Sequence, residues 1–418
     1  MKERLVVYLR GARIGQIEFD DDRNSREFSY DKEYLTAADA CPISMSLPLQ
    51  EDPFNSWETR LFFENLLPPV VVRRKLEKII HHDHDNYFAF LKVLGGDCAG
   101  AIALYPEGVN PSDGEERFRE LGEDEADEVL KALPESPLLQ GIVEGYRISV
   151  AGAQDKLVVR MRNGNLALPL YGTASTHIVK PRMKRCEHSV ENECFCQQLA
   201  DACGISAAKS FIHRIKDDGY YVTRRYDREE ADGHVTRYLQ EDLCQAMGID
   251  SEKKYQVDGG PSAARCFRFL SDNSFGLDDR MRFVDYFVYN FLIGNADAHA
   301  KNISLLQRDG KLSVAPLYDA MSTLVYPQVY NSMAMEIGGQ YEFKAVTRKS
   351  FELFAEKCDV RPKAVLSRLD ALAAKLPRKA EELKTKMSDE GTPSSIYDEI
   401  IGVIRRNIVQ VSSFAAVP

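Results

Sequence analysis

Short apolar runs at residues 5–9 and 14–19 flank the segment GARIG, a pattern that predicts a β-hairpin turning on its glycines. The next stretch, WETRLFFENLLPPVVVRRKLEKII, has helical period but carries Pro68 and Pro69, which predicts two helices meeting at a proline break. NYFAFLKVLGG reads as a further helix, and AGAIALYP returns to strand character. A first α+β unit is therefore expected over 1–106.

The stretch that follows, EGVNPSDGEERFRELGEDEADEVLKAL, is turn-rich and then acidic with helical period, so 107–144 reads as a connector with an exposed helix. From 145 to 243 the period switches to two: RISV, KLVVRM, LALPLY, THIVK, KSFIHRI, YYVTRRY and TRYLQ are strand candidates, with one helix at 190–203. Over 244–418 nearly everything is helical in period, apart from a hairpin at ISLLQRDGKLSVAP. No internal repeat or low-complexity tract interrupts this order.

With 418 residues, 44% of them hydrophobic, the chain can bury two or three cores. The balance of 54 basic against 64 acidic side chains, a formal charge of −10, opposes direct binding to nucleic acid or an anionic membrane. No run approaches the ~18 apolar residues of a membrane span, and a cytoplasmic location is expected. Nine scattered cysteines, an odd number, read as free thiols in a reducing compartment.

Candidate chemistry begins in IGNADAHAKN at 293–302, where Asp297 and Asn302 form D-x-x-x-x-N. Kinase-type phosphoryl transfer needs a carboxylate for the attacking hydroxyl and an amide oxygen for a metal ion at this spacing. Taken alone, the segment reads as a capped, solvated loop. Asp319, in LSVAPLYDAMS, follows a hairpin that returns the chain towards that loop, where a second metal-binding carboxylate is needed; in isolation it is a turn or cap residue.

Upstream, HIVKP ends an apolar strand at Lys180, and Glu193 stands in the next helix, the order of a phosphate-contacting lysine and the glutamate that holds it. A lone strand lysine otherwise snorkels to water. In RISVAGAQDKLVV, Gly152 between Ala151 and Ala153 would let backbone N–H groups approach phosphate oxygens, although an empty hairpin turn reads the same way. No Walker A pattern is present. YLQEDLCQAM, at the junction of strands and helices, offers Glu241, Asp242 and Leu243 to an adenine edge, or is an ordinary linker. Two further clusters carry less weight. HHDHD at 81–85 packs its ligands too closely in sequence to converge on one ion, and Cys194 and Cys196, two apart on a helix, read as buried small hydrophobes rather than a zinc pair.

In this order the motifs resemble the HipA family of serine/threonine kinases, the toxin halves of bacterial toxin–antitoxin pairs. The first unit carries LVVYLRGARIGQIEFD, PISMSLPL, FFENLLP and GGDCAGAIALYP. The second carries SVAGAQDK, HIVKP, NECFCQQLA, RRYDR, YLQEDLCQAMG, KYQVDGGPS, GNADAHAKNISLL and APLYDAMST. The family commonly continues FFENLLP with Glu-Gly, where this chain has Pro69 and Val70, which bears on the helix junction. The resemblance implies an α+β fold: a bilobal protein-kinase-like core, with a strand-rich lobe and a helical lobe, preceded by a small α+β unit.

It further implies ATP and Mg²⁺ as cofactors. Asp297 is then the catalytic carboxylate, and Asn302 and Asp319 are the metal ligands. Val150, Ala151, Gly152, Ala153, Gln154, Asp155 and Lys156 form the phosphate loop, Lys180 contacts phosphates, and the backbones of Glu241 and Leu243 meet adenine. His299 is expected beside the transferred phosphate or bracing the loop, Lys301 is a solvated neighbour, and Ser149 is the site of autophosphorylation. Implied partners are a small HipB-like helix-turn-helix antitoxin, which supplies the DNA contact, and a translation protein such as an aminoacyl-tRNA synthetase as substrate, with growth arrest and persistence as the outcome. The rival reading is a catalytically weak kinase-fold module that binds an antitoxin as co-repressor.

Overall fold

The computed structural model describes residues 2–109, 116–134, 145–149, 152, 154–326, 328 and 332–412. Its first unit is a four-stranded antiparallel sheet. Strands Lys2–Leu9 and Ala12–Asp20 form the expected hairpin, Ser25–Tyr30 continues it on one side, and Ile102–Pro106 closes the other. Helices Ser56–Phe63 and Val70–Ile80 are separated by a 3-10 turn, Glu64–Leu66, and the two prolines; helix Tyr87–Leu94 follows. Their apolar faces share one core built around Phe28, Phe62, Phe63, Leu76 and Phe90.

The second unit is a six-stranded antiparallel sheet. Its strands run in the spatial order Arg117–Glu120, Asn165–Leu170, Leu157–Arg162, His177–Lys180, Asp218–Arg224, Ser210–Ile215. The first of these lies in the expected connector. Arg117–Glu120 pairs with Leu170–Ala167, and helix Glu123–Ala132 sets Ala126 and Leu130 into the core under the sheet. The sequence hides this because the strand, RFRE, is a polar edge strand, half-buried only at Phe118. RISV, in turn, contributes a single bridge from Ile148 to Asp97 of the first unit rather than a full strand.

The third unit is helical, around the buried helix Leu277–Ile293, the long helix Pro362–Asp389 and Ile396–Val411. Helix Ser189–Ala202 joins this core through Phe195, Cys196 and Leu199, although it follows the sheet strand that ends at Lys180. Two hairpins interrupt the helices. One, Ser304–Arg308 with Lys311–Val314, turns on Asp309-Gly310, both at positive φ, as a two-residue loop of this hand demands. The other, Ser332–Ile337 with Gln340–Glu342, falls in sequence read as helical. All nine cysteines are free and all but Cys41 are buried, Cys194 and Cys196 completely. Among the described residues no helix is long and apolar enough to cross a membrane.

Candidate active site

Helix Leu277–Ile293 stops at Gly294, which adopts φ +74 and lies so close to Val403 and Leu324 that a Cβ would meet their side chains at 2.7 and 2.9 Å. The chain therefore turns out of the helix into IGNADAHAKN at a fixed angle. The turn is pinned by its own polar residues: Asn295 Nδ2 donates to Asn290 Oδ1 at 2.8 Å, the Asp297 amide donates to Asn295 Oδ1 at 3.0 Å, and the Ala296 amide donates to Thr323 Oγ1 at 2.8 Å. Asp297 is thereby presented at the surface with 52% of its side chain exposed. Its Oδ1 accepts the Tyr255 hydroxyl at 2.5 Å, and Asn302 Nδ2 donates to the Asp297 carbonyl at 3.0 Å. The last bond orients the Asn302 amide and leaves its oxygen for another partner.

His299 lies beneath them. It is buried, its ring meets Tyr255 edge-on at 5.2 Å, and its Nδ1 has no hydrogen-bond partner. Burial drives its pKa down to about 4 despite the Asp297 charge 3.9 Å from Nε2, so the imidazole is neutral at physiological pH. Tyr255 comes from KYQVDGGPS, a stretch without a titratable pattern to single it out.

Across the cleft, Lys180 Nζ lies 2.6 Å from Glu193 Oε1 and 2.6 Å from Asp319 Oδ1. Strand His177–Lys180 delivers the lysine, helix Ser189–Ala202 the glutamate, and the segment after the Lys311–Val314 strand the aspartate. Burial alone would lower the Lys180 pKa, but the two carboxylates outweigh it and raise it. Burial pushes the Glu193 carboxyl up to about 7, because one ammonium serves two acids. Asp319 stands at the mouth, 40% exposed, and against what burial it has the lysine pulls its pKa below the usual carboxylate range. It takes a left-handed φ of +58, a conformation aspartate tolerates better than most side chains. The same helix holds this segment in place: Asn192 exchanges hydrogen bonds with the Ser322 backbone, both at 2.9 Å, and Gln197 Nε2 donates to the Leu317 carbonyl at 2.6 Å.

The phosphate-loop positions Val150, Ala151 and Ala153 lie outside the described residues. Gly152 has φ +104, and a Cβ there would run into Lys156 Nζ. Lys156 is buried, and burial together with the nearby Lys180 charge lowers its pKa to about 8. A buried ammonium beside a side-chain-free backbone, close to a second lysine, is a donor set suited to phosphate oxygens. With the Asn302 amide oxygen and the Asp319 carboxylate at the same cleft, the residues fit a magnesium nucleotide. Gln154 and Asp155 are half-buried at the base of the loop. Ser149 is fully buried, and its hydroxyl donates to the Leu66 carbonyl of the first unit at 2.6 Å.

Three expectations change. The Glu241 carboxylate accepts from the Ser44 hydroxyl at 2.5 Å and the Met45 amide at 3.0 Å. Asp242 caps helix Leu243–Ala246, and the Leu243 amide donates to the Ile303 carbonyl at 3.0 Å. Both acid side chains are taken up within the protein, and the Leu243 backbone expected to meet adenine is already paired at both ends, its carbonyl accepting the Met247 amide at 3.1 Å. Lys301 is not a solvated neighbour: its ammonium reaches Asp242 at 2.7 Å and the Asn65 side chain, because the 293–302 loop packs against the first unit. In the HHDHD segment, the ligand atoms of Asp83 and His84 do approach those of Glu77 on the preceding helix, within 4.8 Å of one another.

The sequence matches the family model "HipA-like C-terminal domain" over residues 148–380 and "HipA N-terminal domain" over 5–105. It is 36% identical over 419 residues to the putative kinase Y4mE of Sinorhizobium fredii, covering 98% of this chain and 99% of that one. It is 27% identical to the serine/threonine-protein kinase toxin HipA of Shewanella oneidensis, over 91% and 89% of the two chains. The solved Shewanella oneidensis HipA, HipB and operator DNA complex superposes with a TM-score of 0.83 at 25% identity, covering 97% of this chain and 96% of that one. With both family domains matched in order over a kinase-like cleft, the chain belongs to the HipA family of serine/threonine kinases.

Proposed function

We propose that this chain is the toxin of a HipA/HipB-type pair and transfers phosphate from Mg-ATP to serine or threonine hydroxyls. The observation that carries the catalytic reading is the Lys180–Glu193 pair at 2.6 Å, the strand-lysine to helix-glutamate pair a kinase cleft requires, with Asp319 beside the same ammonium. When bound, Mg-ATP supplies the phosphoryl group and the divalent charge that offsets its oxygens. Lys180 and Lys156 bind phosphate oxygens, and Asn302 and Asp319 hold the metal. Asp297, with Oδ1 fixed by Tyr255, orients the acceptor hydroxyl and takes its proton at Oδ2. Little covalent work falls to the protein, so the rate comes from positioning and electrostatics.

The partner in this reading is a HipB-like helix-turn-helix antitoxin, which carries the DNA contact that a chain of net charge −10 disfavours. A cytoplasmic translation protein such as an aminoacyl-tRNA synthetase is the proposed substrate. Ser149 is the proposed site of self-modification; to receive phosphate it must leave its bond to Leu66, and the added charge, about −1.5 to −2, does not return to a buried site. Intact-mass spectrometry after incubation with Mg-ATP tests the reading: a gain of one phosphate that the Asp297→Asn variant lacks is expected. No gain in the wild-type protein, with no ³²P transfer to cell extract, would sink it and leave the antitoxin-binding co-repressor.

A further inference from the structure

The catalytic loop does not stand on the kinase core alone. Lys301, between Asp297 and Asn302's neighbour Ile303, sends its side chain away from the cleft. Its ammonium meets Asp242 Oδ2 at 2.7 Å, the Asn65 side-chain oxygen, and the Asn65 carbonyl at 3.4 Å. Only 11% of the lysine side chain is exposed, and Asn65 and Asp242 are buried. Asn65 cannot swing freely, because its Nδ2 donates to Leu61 O at 2.6 Å and Ile249 O at 3.1 Å, which aims its oxygen at the lysine. Asp242 is equally fixed, with Oδ1 accepting the Gln245 amide at 2.9 Å in a capping box. The loop backbone is then clamped from the other side, where the Tyr318 hydroxyl donates to the Lys301 carbonyl at 2.6 Å, one residue before Asp319.

We infer that Asn65 of the first unit is a positioning residue for phosphoryl transfer, acting through Lys301 and Asp242 to hold the backbone that presents Asp297 and Asn302. The inference rests on the kinase reading and extends it: the first unit is part of the catalytic support. Three contacts of that unit converge on the kinase machinery: Asn65 on the catalytic loop, Ser44 and Met45 on Glu241, and the Leu66 carbonyl on Ser149. Lys301 is shared between Asn65 and Asp242, so removing Asn65 leaves a buried ammonium held from one side only, and removing Lys301 leaves both the Asn65 oxygen and Asp242 Oδ2 short of a donor. A loop that drifts by ~1 Å costs on the order of 10²-fold in rate when the chemistry depends on alignment. Nucleotide binding relies chiefly on Lys180, Lys156 and Asp319 across the cleft and feels the drift only through Asn302, so the loss falls mainly on kcat.

The test uses the full chain and measures initial rates of ³²P incorporation from Mg-ATP against ATP concentration, with nucleotide binding by each variant as the check on folding. Asn65→Leu and Lys301→Met are each expected to lower kcat about 30- to 100-fold while KM for ATP stays within about threefold. The double variant should lose little more than Lys301→Met alone, because that change already removes the Asn65 contact. Lys301→Arg, which keeps a cation for both acceptors, should recover at least a third of the wild-type kcat. Ser46→Ala removes a hydrogen bond of the same interface, to the Gln245 carbonyl at 2.8 Å, but outside the link, and should stay within about twofold of wild type. A wild-type kcat in Asn65→Leu, a loss confined to KM, fully additive losses, or a Ser46→Ala loss as deep as the others would overturn the inference. If one variant fails to bind ATP, the remaining single variant and Lys301→Arg decide the question. An inactive wild-type protein would instead count against the kinase reading itself.

Discussion

Replacing Lys180 by methionine should expose the electrostatics of the cleft in a form that stability and activity report separately. At 2.6 Å, and with an effective dielectric near 20, the gross attraction between Lys180 and the buried Glu193 is about 6 kcal/mol; the pair with Asp319 is weaker, since that side chain is 40% exposed and screened by water. Most of the gross attraction offsets the desolvation of the charges themselves. Removing the cation leaves the desolvation without its return, and a broken buried pair typically costs about 3–5 kcal/mol. The cost has a pH signature. Glu193 already sits near 7, above the 4.5 of an unfolded glutamate, and without Lys180 it moves higher. A carboxyl raised in the folded state costs nothing below its unfolded pKa, where both states are protonated, and costs progressively more as pH rises towards its folded pKa. The slope is about 1.4 kcal/mol for each pH unit over which folded Glu193 keeps its proton while the unfolded chain has lost it. Thermal unfolding followed by circular dichroism should therefore show Lys180→Met falling further behind the wild type from pH 6 to pH 8, with ³²P transfer reduced at least 100-fold throughout. Equal stability at pH 8, or a variant that gains on the wild type as pH rises, would refute the description of Lys180 as the shared partner of two acids.

Asp297→Asn should reduce phosphate transfer by roughly 10³-fold or more, with ATP affinity by calorimetry within about threefold, because the carboxylate is half-exposed and tied only at its rim. Gly152→Ala should weaken ATP binding at least about tenfold, since the loop would carry a Cβ at φ +104 against Lys156; the unfolding midpoint should barely move, a strained surface turn costing ~1 kcal/mol. Ser149→Ala should keep its activity during prolonged incubation with Mg-ATP while the wild type loses it, and intact mass should show the phosphate only in the wild type. Losing the bond to Leu66 should cost that variant about 1 kcal/mol in urea unfolding. Arg228→Met should destabilise the joint between the first unit and the sheet by about 3–5 kcal/mol, because Asp97 at 2.8 Å and Asp227 at 2.8 Å both lose a buried partner.

What the sequence settled by itself was the local and the periodic. The hairpin at Asp309-Gly310, the proline break at 68–69 and the order of Lys180, Glu193, Asp297, Asn302 and Asp319 are written in the chain itself, the first two in spacings of a few residues where backbone sterics act directly. Its helical reading of 332–342 failed because a short buried strand and a helix segment look alike over so few residues. The strand Arg117–Glu120 went unread because edge strands carry polar side chains, which make a strand resemble a connector. Tertiary structure decided the partners. Tyr255 reaches Asp297 from 42 residues away, Asp319 reaches Lys180 from 139, and Asn65 reaches Lys301 from 236. Such pairings depend on which buried polar atoms are brought face to face once the cores have closed, and a tyrosine, an asparagine or a lysine shows no local pattern that announces its partner. The same closure took Leu243's amide for Ile303, Glu241's carboxylate for Ser44, and Lys301 out of water: a buried donor or acceptor must be satisfied by whatever the fold sets opposite it.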